Sequence, residues 1–263
     1  MDVYGTDLFK GSAWYYSKYR PMYPSSLIRF LVERFSLTGE QNLLDLGCGT
    51  GQFTIRFSDW CHKIVGIDTE PEMIEEAERL HQEIRMGQID WFNGTLEKYK
   101  AGHQGQFHLV TIAKAFHWMD RPAVLEELYE MIPKGGGVAV IDNYHPDQSL
   151  RPWQVRLNEK IEKWYGKERK AGKTTYSHPV IRHEEVLKKS NFDVEVHTLP
   201  AYEIHWTVES ILGNLYSTSY GSRRFLGADL RKFEQEVKGA LMDISPADDF
   251  RETVKISVKL GIK

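Results

Sequence analysis

The sequence predicts an α/β fold whose sheet is mostly parallel, and three observations carry that prediction. Short apolar runs alternate with helical patterns between residues 42 and 141, as parallel strands joined by crossover helices do. The first run stops in closely spaced glycines, Gly47, Gly49 and Gly51, which let backbone approach a ligand at the carboxyl edge of such a sheet. The chain closes on a strict alternation of Val254, Ile256, Val258 and Leu260, a pattern that suits antiparallel or edge strands. A length of 263 residues fits one domain of this kind with added elements, and 41% hydrophobic residues allow a substantial core.

Residues 1–24 are aromatic, basic and proline-punctuated, with little periodicity. Leu27, Ile28, Leu31, Val32 and Phe35 then line one face of a helix that Ser25 or Ser26 is suited to cap. The first strand is Asn42 to Leu46, and the second, Lys63 to Ile67, ends in Asp68. Thr69 and Glu72 stand at capping-box spacing with Pro71 in the first turn, opening a helix through Leu80. Ile89 to Phe92 and Phe107 to Ala113 read as the third and fourth strands. Asp120 and Pro122 start a helix bearing Val124, Leu125, Leu128 and Ile132, and residues 134–137 turn the chain into a fifth strand, Val138 to Ile141. Beyond Asp142 the pattern changes. Trp153, Leu157, Ile161 and Trp164 mark an amphipathic helix, Glu184 to Lys189 a short one, and Phe192, Val194 and Val196 a strand. Two more helical patterns cover Val208 to Tyr216 and Leu230 to Leu241. The expected organisation is a single domain over 1–263. Residues 1–38 form an amino-terminal cap, 41–142 a cofactor-binding core, and 145–180 and 200–248 lid or acceptor-pocket segments.

Composition narrows the function. A formal charge of −3 gives no general electrostatic reason to bind nucleic acid or an anionic membrane, and the basic run from Lys167 to Lys173 reads as a solvated loop. Cys48 and Cys61 are too few for a disulfide framework or a four-cysteine zinc site, and no His, Asp and Glu cluster has ligand spacing, so no metal is expected. No run of 18 apolar residues and no basic-then-apolar leader is present, so the expectation is a cytoplasmic enzyme.

The chemistry starts at the glycine loop. Asp68 follows Gly51 by 17 residues, at the end of the second strand, where a carboxylate accepts hydrogen bonds from both hydroxyls of a ribose. A dinucleotide loop wants Gly-x-Gly-x-x-Gly, but the last of those positions is Gln52 here. Asp45 stands two places before the first glycine, where it would repel a pyrophosphate and attract a ligand with an ammonium group. Charge therefore favours S-adenosyl-L-methionine over a nicotinamide dinucleotide.

The chain resembles the class I S-adenosylmethionine-dependent methyltransferases, within them the small-molecule type 11 group near the trans-aconitate methyltransferase-like proteins. The resemblance rests on Leu44-Asp45-Leu46-Gly47-Cys48-Gly49-Thr50-Gly51, Gly66-Ile67-Asp68 with Met73, and Ala115-Phe116-His117-Trp118-Met119-Asp120. Pro133-Lys134-Gly135-Gly136 and Tyr19-Arg20-Pro21-Met22-Tyr23-Pro24 complete it. It implies a Rossmann-like seven-stranded sheet with an antiparallel last strand, plus helical cap and lid insertions. It also implies roles. Asp45, Gly47, Cys48 and Gly49 belong to the loop that shapes the site for the methionine end of the cofactor, and Asp68 holds the ribose. Thr69 or Met73 lies near the adenosine, Thr95 and Leu96 lie beside the adenine, and Ala113 and Lys114 lie beneath the sulfonium. Tyr19 and Arg20 match an element that closes over the cofactor. Lys114 departs from the small or polar residue expected there, which implies an unusual contact or an outward-facing side chain.

Methyl transfer needs in-line positioning, exclusion of water and, for some acceptors, a base. His117 and His145 follow the fourth and fifth strands and are the candidate bases. His178, His205, Trp206 and Tyr216 fall in the segments expected to build the acceptor pocket. The expected function is methyl transfer to an oxygen, including a carboxylate, or a nitrogen of a small molecule, by a monomer or homodimer. Methylation of RNA or protein, and catalytically silent cofactor binding, are the alternatives.

Overall fold

The computed structural model describes residues 7–84, 87–144, 149–172, 174–175 and 179–263. The amino-terminal stretch holds a helix, α1 (Ala13–Tyr19), that its short aromatic sequence did not reveal as periodic. Helix α2 (Ser25–Arg34) buries Leu27, Ile28, Leu31 and Val32, but neither serine caps it. Pro24 stands at the cap position, and the Ser25 hydroxyl instead receives a bond from Arg56 at 3.2 Å. Strand β1 (Asn42–Leu46) and β2 (Lys63–Asp68) follow, then α3 (Pro71–Ile84), which starts after Glu70 and runs past Leu80. Next come β3 (Ile89–Asn93) and α4 (Leu96–Gly102). Helix α4 was not legible because seven residues are too few to show a period. Strand β4 (Leu109–Ala113) begins two residues later than expected, since the N–H groups of Phe107 and His108 go to the carbonyls of Met131 and Asn42.

Helix α5 (Arg121–Met131) is capped by the Asp120 side chain, as its sequence predicts, and leads to β5 (Gly137–Asp142). Helix α6 (Pro152–Tyr165), two-residue strands β6 (Lys170–Ala171) and β7 (Thr174–Thr175), α7 (His183–Lys188) and β8 (Asp193–Thr198) come next. The chain continues through β9 (Tyr202–Trp206), α8 (Val208–Tyr216) and α9 (Leu230–Met242) to β10 (Phe250–Val254) and β11 (Ser257–Ile262). The closing alternation is thus two strands, not one. Val254 ends β10, which pairs with β9, whereas Val258 and Leu260 lie in β11.

The described residues form two compact units. Those within 22–144, 178–200 and 255–263 build a sheet unit, and those within 1–21, 145–177 and 201–254 a helical unit. The sheet has seven strands in the order β3-β2-β1-β4-β5-β11-β8. The first five are parallel, and β11 runs antiparallel to both β5 and β8. That is the seven-stranded arrangement the resemblance implies. The strand order reverses between β1 and β4, the point at which open α/β sheets bind ligands outside their carboxyl ends. Leu44, Val65, Val110, Ile112 and Val138 are buried at the centre of the sheet's core. The helical unit packs around Phe233, Val237, Leu241, Trp153 and Trp206. No helix among the described residues is long and apolar enough to cross a membrane.

One large side chain fixes the spacing beneath the glycine loop. Trp91 on β3 lies beside Gly66 in the β2–β3 register, and a Cβ on Gly66 would come within 2.5 Å of its ring. A Cβ on Gly51 would come within 2.4 Å of the same ring. Gly66→Ala should therefore lower stability in urea denaturation by about 1–3 kcal/mol, the usual cost of overpacking. The loss should shrink in a Trp91→Leu background. An equal loss in both backgrounds would show that the indole is not the obstruction.

Candidate active site at the carboxyl edge of the sheet

The loop after β1 is held by backbone before any ligand is considered. The N–H groups of Gly47 and Cys48 both donate to the carbonyl of Ile67, at 2.8 and 3.0 Å, which ties the loop to the end of β2. Gly47, Gly49 and Gly51 have φ of +74°, +54° and +72°, a region that L side chains rarely adopt. Gly47 is also constrained sterically, since a Cβ there would lie 2.4 Å from that of Ala115 in the loop after β4.

Asp68 gathers these pieces. Its Oδ2 accepts the N–H of Gly49 and its Oδ1 that of Glu70, both at 2.9 Å. Its backbone carbonyl accepts the N–H of Gly94 and the side-chain amide of Asn93, so the loop after β3 is fastened to the same residue. Burial pushes the Asp68 carboxyl above its ordinary range, and bonds from the N–H groups of Glu70, Gly49 and Thr69 pull it back.

Asp45 plays a different part. It is fully buried in β1, and its oxygens accept the hydroxyls of Thr54 at 2.5 Å and Thr111 at 2.7 Å. Burial, with the charge of Asp68 nearby, pushes it up to about 6 despite those two hydroxyls. It braces the loop against β4 and contributes its field to the site from within the sheet.

The other predicted residues are placed as follows. Thr69 is exposed, and Met73 is buried in the first turn of α3. Thr95 caps α4 by accepting the N–H of Lys98, while Leu96 is part of the hydrophobic core. Cys48 is buried, which pushes its thiol well above the ordinary range. Ala113 ends β4. Lys114 follows in a left-handed conformation, φ +55°, with its ammonium 5.7 Å from the centre of the Tyr23 ring. His117 lies in a 3₁₀ turn, Phe116–Trp118, against the Trp118 ring. His145 and His178 lie outside the described residues. Tyr19 and Arg20 belong to the helical unit, where the Tyr19 hydroxyl donates to Glu209 at 2.8 Å and Arg20 donates to the carbonyl of Ser217 at 3.3 Å. In that unit His205 pairs with Asp249 and the Tyr216 hydroxyl donates to Glu234.

Sequence reasoning missed a polar cluster at the carboxyl ends of β4 and β5. Asp142 ends β5, and Lys259 of β11 donates to its Oδ2 at 2.5 Å with both side chains largely buried. His183 opens α7, its ring nearly parallel to that of His117 with centres 6.5 Å apart. Arg121 donates to the carbonyl of Ile181 and stands 3.3 Å from His183 Nδ1. A guanidinium only donates, so this geometry assigns the imidazole proton to Nε2. Burial is the main cause that lowers His183 to about 4. Arg121 and Lys259 add to the lowering, and Asp142 and Glu184 oppose it. Lys259 alternates with Val258 and Leu260 and therefore reads as an outward polar position. Only its pairing with a residue 117 positions earlier shows otherwise.

A family model described as a methyltransferase domain matches residues 43–136. An uncharacterized methyltransferase of Schizosaccharomyces pombe is 27% identical over 159 residues, 60% of each chain. The demethylmenaquinone methyltransferase of Oceanobacillus iheyensis is 28% identical over 144 residues, 50% of this chain and 59% of that one. The chain thus spans less than two thirds of the length of these curated relatives. Among solved structures, the YcgJ protein of Bacillus subtilis has a TM-score of 0.55 at 16% identity, covering 91% of this chain and 99% of that one. YjhP of E. coli has 0.54 at 14%, covering 98% and 100%. At these identities the structural likeness shows the fold.

The His183 environment has a stability signature. Between its ordinary value of 6.5 and its folded value of about 4, the unfolded chain takes up a proton that the folded imidazole does not, so this contribution falls as pH drops. Asp45, raised to about 6, acts with the opposite sign over an overlapping window, so the parent protein alone would mask the effect. The stability difference between the parent and His183→Gln should therefore fall by about 2–3 kcal/mol from pH 7 to 4.5, read by urea denaturation. A difference that does not change with pH would show that His183 titrates normally.

Proposed function

We propose that this chain, whose residues 43–136 match a methyltransferase domain, is a class I S-adenosylmethionine-dependent enzyme that methylates an oxygen or nitrogen of a small molecule. The observation that carries the reading is the clasp between the left-handed glycine loop and Asp68. The residues suit the cofactor. Gly47 leaves backbone where a Cβ would collide with Ala115, and Asp68 is a half-buried residue whose carboxylate has lone pairs beyond those facing Gly49 and Glu70. The Thr50 hydroxyl, wholly buried in the loop, has no partner among the described residues. Asp45 and Asp68 together give the loop a negative field that suits a cationic cofactor and opposes a pyrophosphate.

S-adenosylmethionine, when bound, supplies a sulfonium-activated methyl carbon, to which the acceptor's lone pair bonds as the carbon–sulfur bond breaks and its electrons stay with sulfur. The chain's own work is to hold, orient and exclude water. We assign ribose binding to Asp68, and the methionine end to Gly47, Gly49 and the field of Asp45. Proton removal, where the acceptor has a proton to lose, falls to His117 or His145. The near-parallel ring of His183, held neutral by its surroundings, supports His117 in that role. An aromatic-walled cavity in the helical unit supports a small acceptor over a macromolecule.

Calorimetric titration with S-adenosylhomocysteine, with NAD as control, tests the cofactor. The parent should bind the former alone, and Asp68→Asn should weaken that affinity about tenfold or more without loss of fold. Equal binding by parent and variant would remove the ribose role from Asp68. Transfer of labelled methyl to any member of a panel of small acids, phenols and amines tests turnover, and none with any acceptor would leave a silent binder. Affinity should also fall as pH drops through about 6, because protonated Asp45 no longer attracts the cofactor's cation. An Asp45→Asn variant should lack that step, and a step retained in it would assign the titration elsewhere.

A further inference from the structure

The helical unit contains a cavity of about 240 Å³, just under the span of about 300–1,000 Å³ usual for small-molecule sites. Its size suits a compact ligand of one or two rings. The walls are aromatic and aliphatic: Trp153, Leu157, Trp206, Ile211, Leu215 and Tyr220. The indoles are fixed in orientation, since Trp153 Nε1 donates to the carbonyl of Arg251 at 3.1 Å and Trp206 Nε1 to Glu252 Oε2 at 2.9 Å.

The polar groups on this wall are unbalanced. Glu252 is partly buried, and its two oxygens receive only neutral donors, Trp206 Nε1 and the Gln154 amide. No cation lies within 4.0 Å of its carboxylate among the described residues. Asn214 lines the same cavity, and its Oδ1 is buried without a partner among the described residues. Both are acceptors. Among the described residues the only cation on the lining is Arg169, which is exposed, with its guanidinium 4.8 Å from the centre of the Tyr220 ring. Its guanidinium is exposed beside a ring face, whereas the Glu252 carboxylate is half-buried against the Trp206 indole and the Gln154 amide. A half-buried carboxylate without a counter-cation is unfavourable, and aromatic faces attract the same cation that would relieve it.

The geometry points to a site for a protonated aromatic amine, its ring between the indoles and its ammonium on Glu252. The site is argued from the helical unit alone. That the amine is also the methyl acceptor rests on the function proposed above. Transfer then requires the ammonium to give its proton to Glu252, after which the freed nitrogen lone pair bonds to the methyl carbon and the electrons of the broken carbon–sulfur bond stay with sulfur.

Calorimetry on the full chain at pH 7 tests this with three probes of one shape: 2-phenylethylamine, 2-phenylethanol and 3-phenylpropionate. The amine should bind at least tenfold tighter than the other two. Glu252→Gln, which keeps an acceptor for Trp206, should weaken the amine about tenfold and leave the alcohol unchanged. Asn214→Leu should also weaken the amine, giving a second reading if Glu252→Gln disturbs the fold. Preference for 3-phenylpropionate, binding of none of the probes, or amine affinity unchanged in both variants would overturn the inference. S-adenosylhomocysteine titrated alongside separates the two proposals, because its binding without amine binding removes the amine site alone. Amine that binds but accepts no labelled methyl removes its assignment as acceptor and leaves the site.

Discussion

The candidate site depends on Asp68 being able to hold three segments of chain at once. Its carboxylate takes an N–H from the β1 loop and another from the start of α3, and its carbonyl takes two donors from the end of β3. A carboxylate has more acceptor capacity than a lone backbone N–H can use, so one side chain can serve as a structural tie and still offer lone pairs to a ligand. The position of this tie follows from the parallel register. Asp68 is the last residue of β2, paired with Asn93 of β3, and the neighbouring Ile67 pairs with Leu46, immediately before the first glycine. Loop geometry and ligand chemistry are therefore set by the same pairing.

Placing two carboxylates near one loop carries an electrostatic penalty, and the structure meets it in two ways. Asp68 is compensated by backbone N–H groups, which favour its charged form. Asp45 has only two hydroxyls against complete burial, and so sits near the point where a proton is gained or lost. On the other side of the switch point, at the ends of β4 and β5, the solution is a direct ion pair between Asp142 and Lys259, with neutral His183 beside it. Neutral histidine needs no counter-charge, which is why burial there depresses the imidazole instead of recruiting a partner. The two halves of the carboxyl edge thus differ in character. One has a net negative field, and the other is internally neutralised.

What the sequence made legible follows from which signals are local. The five parallel strands, the start of α5 at Asp120 and the helix α8 were readable because apolar period and helix-start chemistry act over a few residues. The juxtaposition of the glycine loop with Asp68 was readable because the loop and the strand after it lie close in sequence. Helix α1 and helix α4 were not, being too short for a period to emerge. The closing alternation misled because β10 and β11 share one phase across the break at Lys255 and Ile256, although they pair with different strands. Gly51 shows a subtler limit. It reads as a ligand glycine, yet the Trp91 ring already forbids a side chain there, and nothing near Gly51 in the sequence announces that tryptophan. His183, Lys259 and Glu252 were missed for the same reason, since each acquires its meaning from a residue far along the chain.

That distinction explains why the cofactor could be argued from sequence and the acceptor could not. The glycine loop is one contiguous motif whose geometry is imposed by glycine and by strand register. The cavity of the helical unit draws its walls from α6, β9, α8 and β10, and its charge from a single glutamate on β10. These pieces come from two insertions, one after β5 and one after β8, so the strand pairs of the parallel core do not constrain their residues. A change at Glu252 or Asn214 would alter what the cavity accepts and leave the sheet's register untouched. What such a cavity admits is decided by a few polar atoms set in an apolar wall, each of which fixes the charge and hydrogen bonding of what can enter.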